Sequence, residues 1–177
     1  DELRVPLGYL YWGDQPRELE PTERLGGGNS FYRRDRLLEL GGFDERLGRQ
    51  GGNLLSGEET QLQKRIEREG GRLFYHPRAS IHHHVPADRT RPGWFCRRYF
   101  WGGVSDTVMW RTLPAGEAVQ PSPGGVVSGP TGNRWLRLLS NLAWSIPPVA
   151  WAPRRVVPAR IYIAYVAGRF WGCFRST

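Results

Sequence analysis

Cysteine and lysine are scarce in this sequence. Its 177 residues include two cysteines, Cys96 and Cys173, and a single lysine, Lys64. The two cysteines lie far apart and neither belongs to a Cys-x-x-Cys pair, which excludes a disulfide-rich scaffold and a zinc ribbon. With 39% hydrophobic residues, a chain of this length is expected to form one globular domain with a real core.

Acidic residues are scarce in the second half only. Residues 1–88 carry 13 basic and 15 acidic side chains, whereas residues 89–177 carry 12 basic and two acidic ones, Asp106 and Glu117. Seven of the eight tryptophans also lie in the second half. Because indole rings favour the headgroup depth of a bilayer and arginines attract anionic lipid, this composition suits a membrane interface.

The first half predicts a strand and two helices. Residues 5–12 have the β-branched and aromatic content of a strand. Residues 33–42 predict a short helix that ends at a glycine pair, and residues 58–69 predict a longer helix rich in strong helix formers. After that helix, residues 73–77 and 79–86 are expected to be short extended pieces.

The second half predicts one aromatic helix, a linker and a tail. Residues 93–112 fit an amphipathic helix that breaks or bends at Gly102 and Gly103. Residues 113–133 are rich in Pro, Gly and Ser and are expected to be a flexible linker. The apolar stretches of residues 134–177 are short or interrupted, so we expect basic, aromatic helices that lie at a membrane surface.

Two adjacent carboxylates, Glu58 and Glu59, stand at the start of the second predicted helix, behind Ser56 and Gly57. One interpretation is structural, because Ser56-x-x-Glu59 matches a capping box and acidic residues favour a helix N-terminus. The other is that one carboxylate faces a cleft and removes a proton from an attacking hydroxyl. The pattern alone leaves both open.

Three consecutive histidines, His82, His83 and His84, lie within the second extended piece. Side chains alternate along an extended chain, so His82 and His84 would share one face and His83 the other. A metal site needs several nitrogen, oxygen or sulfur ligands. No second histidine or cysteine stands at a spacing that completes one, so further ligands would come from elsewhere.

The elements resemble, in this order, the C-terminal half of the catalytic domain of family-two glycosyltransferases, which are inverting GT-A enzymes. The resemblance covers roughly residues 24–112. It rests on GGGNSFYRRDRLLELGGFDERLG, residues 26–48, which is similar to the family's glycine-Asn block, leucine-rich helix and GGFDE run. It continues in LLSGEETQLQKRIEREGGRLFYHPRASIHHHVPADR, residues 54–89, which resembles the family's acidic pair, its helix and its H-x-VP stretch.

This resemblance implies an α/β fold, with residues 1–112 as the C-terminal part of a Rossmann-like nucleotide-diphospho-sugar transferase domain. It places the general base on the acidic pair. The family usually carries Asp at the second position, where this sequence has Glu59 after Glu58, so the choice between them stays open. The residues that the resemblance assigns to substrate binding are Gly27, Gly28, Asn29, Ser56, Gly57 and Arg89.

The resemblance also implies a divalent metal, Mg or Mn, with His83 and then His84 as candidate ligands. The nucleotide-binding first half of such a domain, with its Asp-x-Asp motif, has no counterpart in these residues. A departing diphosphate needs cationic stabilisation, most of which this stretch does not supply. We therefore expect the sequence to be part of a longer enzyme, inactive by itself, with most metal ligands outside it.

The expected partners are a nucleotide-sugar donor, a glycan or lipid-linked acceptor, and a membrane surface, with no nucleic acid. The expected location is cytoplasmic, peripheral at the cytoplasmic face of the membrane, in a bacterium that builds cell-envelope polysaccharide. A second hypothesis is a non-catalytic basic module that binds anionic lipid or another polyanion. A metal hydrolase built on the histidines is a third, and the missing ligands disfavour it.

Overall fold

The structure is a computed structural model that describes residues 4–112 and 153–174. The chain divides into two compact units, Asp1–Val85 and Pro86–Thr177. The predicted linker, residues 113–133, lies outside the described residues, as does the first part of the predicted tail, residues 134–152. The domain limits expected from the sequence therefore stay predictions.

The described part of the first unit, residues 4–85, contains two α-helices, both of which the sequence predicts. Helix α1 spans Arg34–Glu39 and helix α2 spans Glu58–Arg68. Leu62 of α2 is fully buried, at 0% exposure, and forms the centre of the core. The other buried leucines of this unit are Leu19, Leu47, Leu55 and Leu73.

The sheet of the first unit is small. Strand β1, Arg17–Glu18, pairs antiparallel with strand β2, Phe74–Tyr75, with Arg17 opposite Tyr75. Strand β2 confirms the first predicted extended piece, residues 73–77. The described residues thus mix helices with a small sheet, in agreement with the general α/β class.

The strand predicted over residues 5–12 is wrong. Val5–Leu7 instead forms a 3₁₀ helix with Pro6 in its first turn. Proline fixes its φ angle near that of a helix and lacks the N–H that a strand ladder needs. Gly8 follows with a φ of 94°, and its N–H donates to Val5 O at 2.9 Å, which closes the turn.

Among the residues that the structure describes, the second unit contains two long helices, α3 over Pro92–Thr112 and α4 over Pro153–Phe174. The predicted break at Gly102 and Gly103 is wrong, because α3 runs through both residues. A Cβ at Gly103 would overlap the carbonyl oxygen of Tyr165 on α4. Gly103 therefore allows close packing of the two helices.

Polar side chains are buried between α3 and α4. Asp106 is 2% exposed and accepts a hydrogen bond of 2.7 Å from the Tyr165 hydroxyl. Burial, followed by the negative charge of Asp106, raises the pKa of Tyr165 well above its usual value. Both effects favour the neutral phenol, which can donate to the carboxylate.

Several large apolar side chains of α4 are exposed. None of the described helices is long and apolar enough to cross a bilayer. The exposed apolar residues of α4, which we call the outer face, are Ile163, Val166, Phe170, Trp171 and Phe174.

Candidate functional site

An open cleft of about 540 Å³ lies in the first unit, at the N-terminus of α2. Glu58 and Glu59 both line it. The rest of the lining comes from the 3₁₀ helix Gly27–Asn29, which we call the glycine turn, and from the loop that follows α1. These residues are Gly27, Phe43, Glu45, Leu47, Gly48, Arg49 and Gln50.

The carboxylate of Glu59 lies directly over the backbone of Gly27. A Cβ at Gly27 would overlap the Glu59 carboxylate, so no side chain fits at this position without displacing it. Glu59 is half-buried, which leaves part of its side chain open to the cleft. The position of the Glu59 carboxylate thus requires glycine at residue 27.

Glu58 turns toward a different part of the cleft wall. A Cβ at Gly48 would lie 3.3 Å from the Glu58 carboxyl carbon. Gly48 is buried and has a φ of 84°, a conformation that favours glycine. The two carboxylates thus approach two separate glycines, Glu59 on the turn before α1 and Glu58 on the loop after it.

Helix α2 begins without the capping box that the sequence suggests. The residue before the helix is Gly57, with a φ of 102°, and no side chain caps the helix by a hydrogen bond. The left-handed conformation of Gly57 ends the loop and starts α2 at Glu58 itself. The capping box predicted from Ser56 and Glu59 is therefore not formed, whereas Glu58 and Glu59 do lie in the first turn of α2, where the helix dipole favours acidic residues.

One face of α2 holds the segment that leads into the glycine turn. Glu67 forms an ion pair of 3.1 Å with the buried Arg24. One turn earlier, Gln63 accepts a hydrogen bond from Leu25 N at 2.9 Å and donates to Leu25 O at 3.0 Å. Sequence reasoning missed Gln63, since a glutamine in a polar helix usually faces solvent.

Charged side chains fix the loop on the other side of the cleft. Arg65 of α2 donates to Leu40 O at 2.5 Å and to Gly42 O, and burial lowers the pKa of its guanidinium. Asp44 accepts hydrogen bonds from the Arg46 guanidinium at 2.8 and 3.0 Å, which hold the pKa of the Asp44 carboxyl below its usual range.

Gly28 and Asn29 continue the glycine turn toward the histidine segment. Asn29 Nδ2 donates to Ala79 O at 2.6 Å, so this side chain is used to hold the turn. A Cβ at Gly28 would lie 3.8 Å from Ile81 Cδ1, an ordinary contact. The turn is therefore anchored at both ends, by Gln63 at Leu25 and by Ala79 at Asn29.

Of the three histidines, His83 has a defined contact. Its Nδ1 lies 2.8 Å from Leu7 O, and because a carbonyl only accepts, Nδ1 carries the proton. His82 and His84 are exposed. Within residues 4–112 and 153–174, no group of three or more His, Cys, Asp or Glu side chains lies close enough to hold a metal ion.

A comparison with known proteins finds a relative that is a glycosyltransferase. The chain is 35% identical over 92 residues to the glucosyl-dolichyl phosphate glucuronosyltransferase of the archaeon Haloferax volcanii. Half of this chain is similar to a glycosyltransferase. The match covers 51% of the chain and 29% of the relative, so the chain spans less than a third of the relative's length. No protein-family model and no solved structure matches the chain.

The likeness to a glycosyltransferase supports the general class expected from the motifs. A transferase of this class acts on a sugar donor and an acceptor. The relative is archaeal, so the expected bacterial source has no support from it.

The structure brings together part of the predicted glycosyltransferase site. Glu58, Glu59 and Gly27 share the cleft. Gly28 and Asn29 lie on the same turn, and Gly57 sets the start of α2. Arg89 belongs to the second unit, in the 3₁₀ helix Ala87–Thr90. The remaining assigned residues are Ser56, which is half-buried beside Gly57, and His83 and His84, described above.

Proposed function

We propose that this chain is the acceptor-side part of an inverting, family-two glycosyltransferase with a GT-A fold, and that Glu59 is its general base. One observation carries the choice of Glu59. Its carboxylate lies over the bare backbone of Gly27 in an open cleft, and it takes no part in capping α2. Glu58 packs beside Gly48 in the loop, and we assign it to shaping the cleft wall.

The proposed reaction transfers a sugar from a nucleotide-diphosphate donor. The Glu59 carboxylate accepts the proton of an acceptor hydroxyl, and the hydroxyl oxygen forms a bond to the anomeric carbon. The bond from that carbon to the diphosphate breaks with its electron pair, so the configuration inverts. A base positioned in this way contributes roughly 10²- to 10⁴-fold to the rate. Gly27, Gly28, Asn29, Ser56, Gly57 and Arg89 stay proposed substrate contacts.

We propose a divalent metal, Mg or Mn, for the complete enzyme. Metal-binding histidines commonly donate their other ring N–H to a carbonyl, and His83 does so through Nδ1 to Leu7 O. His83 Nε2 therefore fits one position of a ligand set, His84 stays a proposed second ligand, and the other ligands would come from outside the described residues. When bound, such a metal offsets negative charge on a departing diphosphate.

We also propose a lipid-linked acceptor at the cytoplasmic face of a membrane. The relative's name gives glucosyl-dolichyl phosphate as its substrate. In this chain, the outer face of α4 exposes Phe170, Trp171 and Phe174, and residues 89–177 carry ten more basic than acidic side chains. Exposed aromatic rings with arginines suit the headgroup region of an anionic bilayer.

The test is sugar transfer by the intact gene product. Nucleotide-activated sugars that include a glucuronate donor are offered with short-chain glucosyl-dolichyl phosphate. Glu59→Gln is expected to lower kcat at least 100-fold, because the amide accepts no proton. Glu58→Gln is expected to change kcat less. The control is Glu69→Gln, an exposed carboxylate just beyond the end of α2, with unchanged kcat.

Two outcomes contradict the proposal. Full activity of Glu59→Gln rules out this residue as the base. A gene product that transfers no sugar from any donor, yet is retained on anionic vesicles in a salt-dependent way, supports the non-catalytic basic module instead.

A further inference from the structure

Gln63 is a polar side chain buried in the core of the first unit, with 0% exposure. It lies four residues after Glu59 on α2, so the two side chains share one face of the helix, one turn apart. Burial of an amide without partners costs roughly 2 kcal/mol or more. Gln63 therefore needs hydrogen-bond partners inside the core.

The partners of Gln63 are mainly backbone atoms of one residue. Its Oε1 accepts from Leu25 N at 2.9 Å, and its Nε2 donates to Leu25 O at 3.0 Å and to the Tyr32 hydroxyl at 3.1 Å. The side chain thus holds both polar groups of the Leu25 peptide backbone. In the reversed orientation Oε1 would face Leu25 O and Nε2 would face Leu25 N, and neither pair could form a hydrogen bond. The contacts with Leu25 therefore fix the orientation of the amide.

Leu25 is two residues from Gly27, and the Glu59 carboxylate lies over the Gly27 backbone. Tying Leu25 to α2 fixes how closely the glycine turn approaches that helix. We infer that Gln63 is a positioning residue that places the Gly27 backbone under Glu59 through its hydrogen bonds to Leu25. The inference rests on the proposed function, in which Glu59 is the base.

The first experiment compares Gln63→Leu with the matched control Gln61→Leu in the intact gene product. Gln61 is also a buried glutamine of α2, at 5% exposure, but its amide nitrogen lies 3.5 Å from Asp44 and its carbonyl oxygen has no hydrogen-bond partner among the described residues. Gln63→Leu removes the bonds to Leu25, whereas Gln61→Leu leaves the glycine turn in place.

Two readouts separate positioning from general stability. Amide hydrogen exchange in residues 25–29 is expected to speed up at least tenfold in Gln63→Leu and to stay unchanged in Gln61→Leu. The kcat of Gln63→Leu is expected to fall about 100-fold, the loss typical of a displacement near 1 Å, with a small change in KM. In a Glu59→Gln background, Gln63→Leu is expected to lower kcat no further, because the two residues act together.

A conservative variant supplies a pH signature. In Gln63→Glu the ionised carboxylate can accept from Leu25 N but cannot donate to Leu25 O. Protonation restores a donor, and burial raises the pKa of such a carboxyl toward the working range. The ratio of kcat for this variant to that of the wild type is therefore expected to rise as the pH falls.

The outcomes distinguish this inference from the proposed function. An intact product that transfers no sugar overturns the proposed function. If the wild type is active, three results would overturn the inference and leave the proposed function standing. These are an unchanged kcat in Gln63→Leu, unchanged amide hydrogen exchange in its residues 25–29, or a kcat loss in Gln63→Leu that adds fully to the loss in Glu59→Gln.

Discussion

Glycine has different roles in the two units. In the first unit, Gly27 leaves room for the carboxylate of Glu59, which is the far end of a flexible side chain. In the second unit, Gly103 and Gly168 leave room for backbone, since a Cβ at either would overlap a carbonyl oxygen of the neighbouring helix. The first arrangement positions a reactive group, and the second determines how closely two helices pack.

Because of this difference, an added side chain is expected to affect activity in the first unit and stability in the second. A flexible carboxylate can move aside, so crowding it changes chemistry more than stability. A helix backbone cannot move without disturbing its own hydrogen bonds, so crowding it changes stability first.

The largest effect is expected for Gly168→Ala. The new methyl group would overlap Phe100 O on α3 and push the two helices apart. We expect the free energy of unfolding to fall by about 3 kcal/mol, measured by chemical denaturation. The control is Gly93→Ala, which adds a methyl group where no atom lies within 4 Å. A loss below about 1 kcal/mol for Gly168→Ala would contradict close backbone packing.

The next largest effect is expected for Gly27→Ala, and on activity. The methyl group would displace the Glu59 carboxylate, so kcat is expected to fall about 100-fold. The free energy of unfolding should change by less than about 1 kcal/mol, because a side-chain end can move. The double variant with Glu59→Gln serves as the control and should be no slower than Glu59→Gln alone. An additive loss would place the role of Gly27 elsewhere.

Tyr165→Phe tests the buried polar contact between α3 and α4. It removes the 2.7 Å hydrogen bond to Asp106 and is expected to lower the free energy of unfolding by about 2 kcal/mol. The folded-state pKa of Tyr165 is raised, so this stability is present below pH 10 and is lost as the pH rises further. Denaturation at pH 7 and above pH 10 should show the difference between variant and wild type shrinking.

A smaller effect than these is expected for Asp44→Asn, which weakens the loop beside the cleft. The variant loses the charged contact with Arg46 and is expected to cost about 1 kcal/mol at pH 7. The folded-state pKa of Asp44 is lowered, so its contribution is present above about pH 4 and is lost as the pH falls further. Unfolding measured from pH 7 to pH 3 should therefore show the two proteins converging.

A matched comparison for Asp44 is Asp35→Asn. Asp35 pairs with Arg33 at 2.6 Å, but both side chains are more than half exposed, at 53% and 80%. Solvent screens such a pair, so the free energy of unfolding is expected to change less than in Asp44→Asn. Equal changes at the two positions would show that burial of Asp44 contributes nothing.

Local signals in the sequence were sufficient for the helices of the first unit. One glycine pair, Gly41 and Gly42, ends the helix predicted over residues 33–42. The strong helix formers of residues 58–69 predict the second helix. The acidic pair at the start of α2 was predicted as a site from the resemblance to family-two glycosyltransferases, because its local pattern alone left a structural and a catalytic interpretation open.

Contacts between distant segments account for what the sequence did not predict. The predicted capping box failed because Gly57 adopts a left-handed conformation, which the letters of the motif do not encode. A helix break was predicted at Gly103 because its close contact with Tyr165 of α4 joins residues far apart in the sequence. Gln63 escaped notice because its partner, Leu25, is 38 residues away.

Helix α2 contacts the segment before the glycine turn at regular intervals. Glu59, Gln63 and Glu67 are spaced four residues apart, and they meet Gly27, Leu25 and Arg24 in reverse order. One extra residue inside this stretch of α2 would rotate everything after it by about 100°. Such an insertion would break all the contacts beyond it together, so the length of α2 between Glu59 and Glu67 is as constrained as the identity of its side chains.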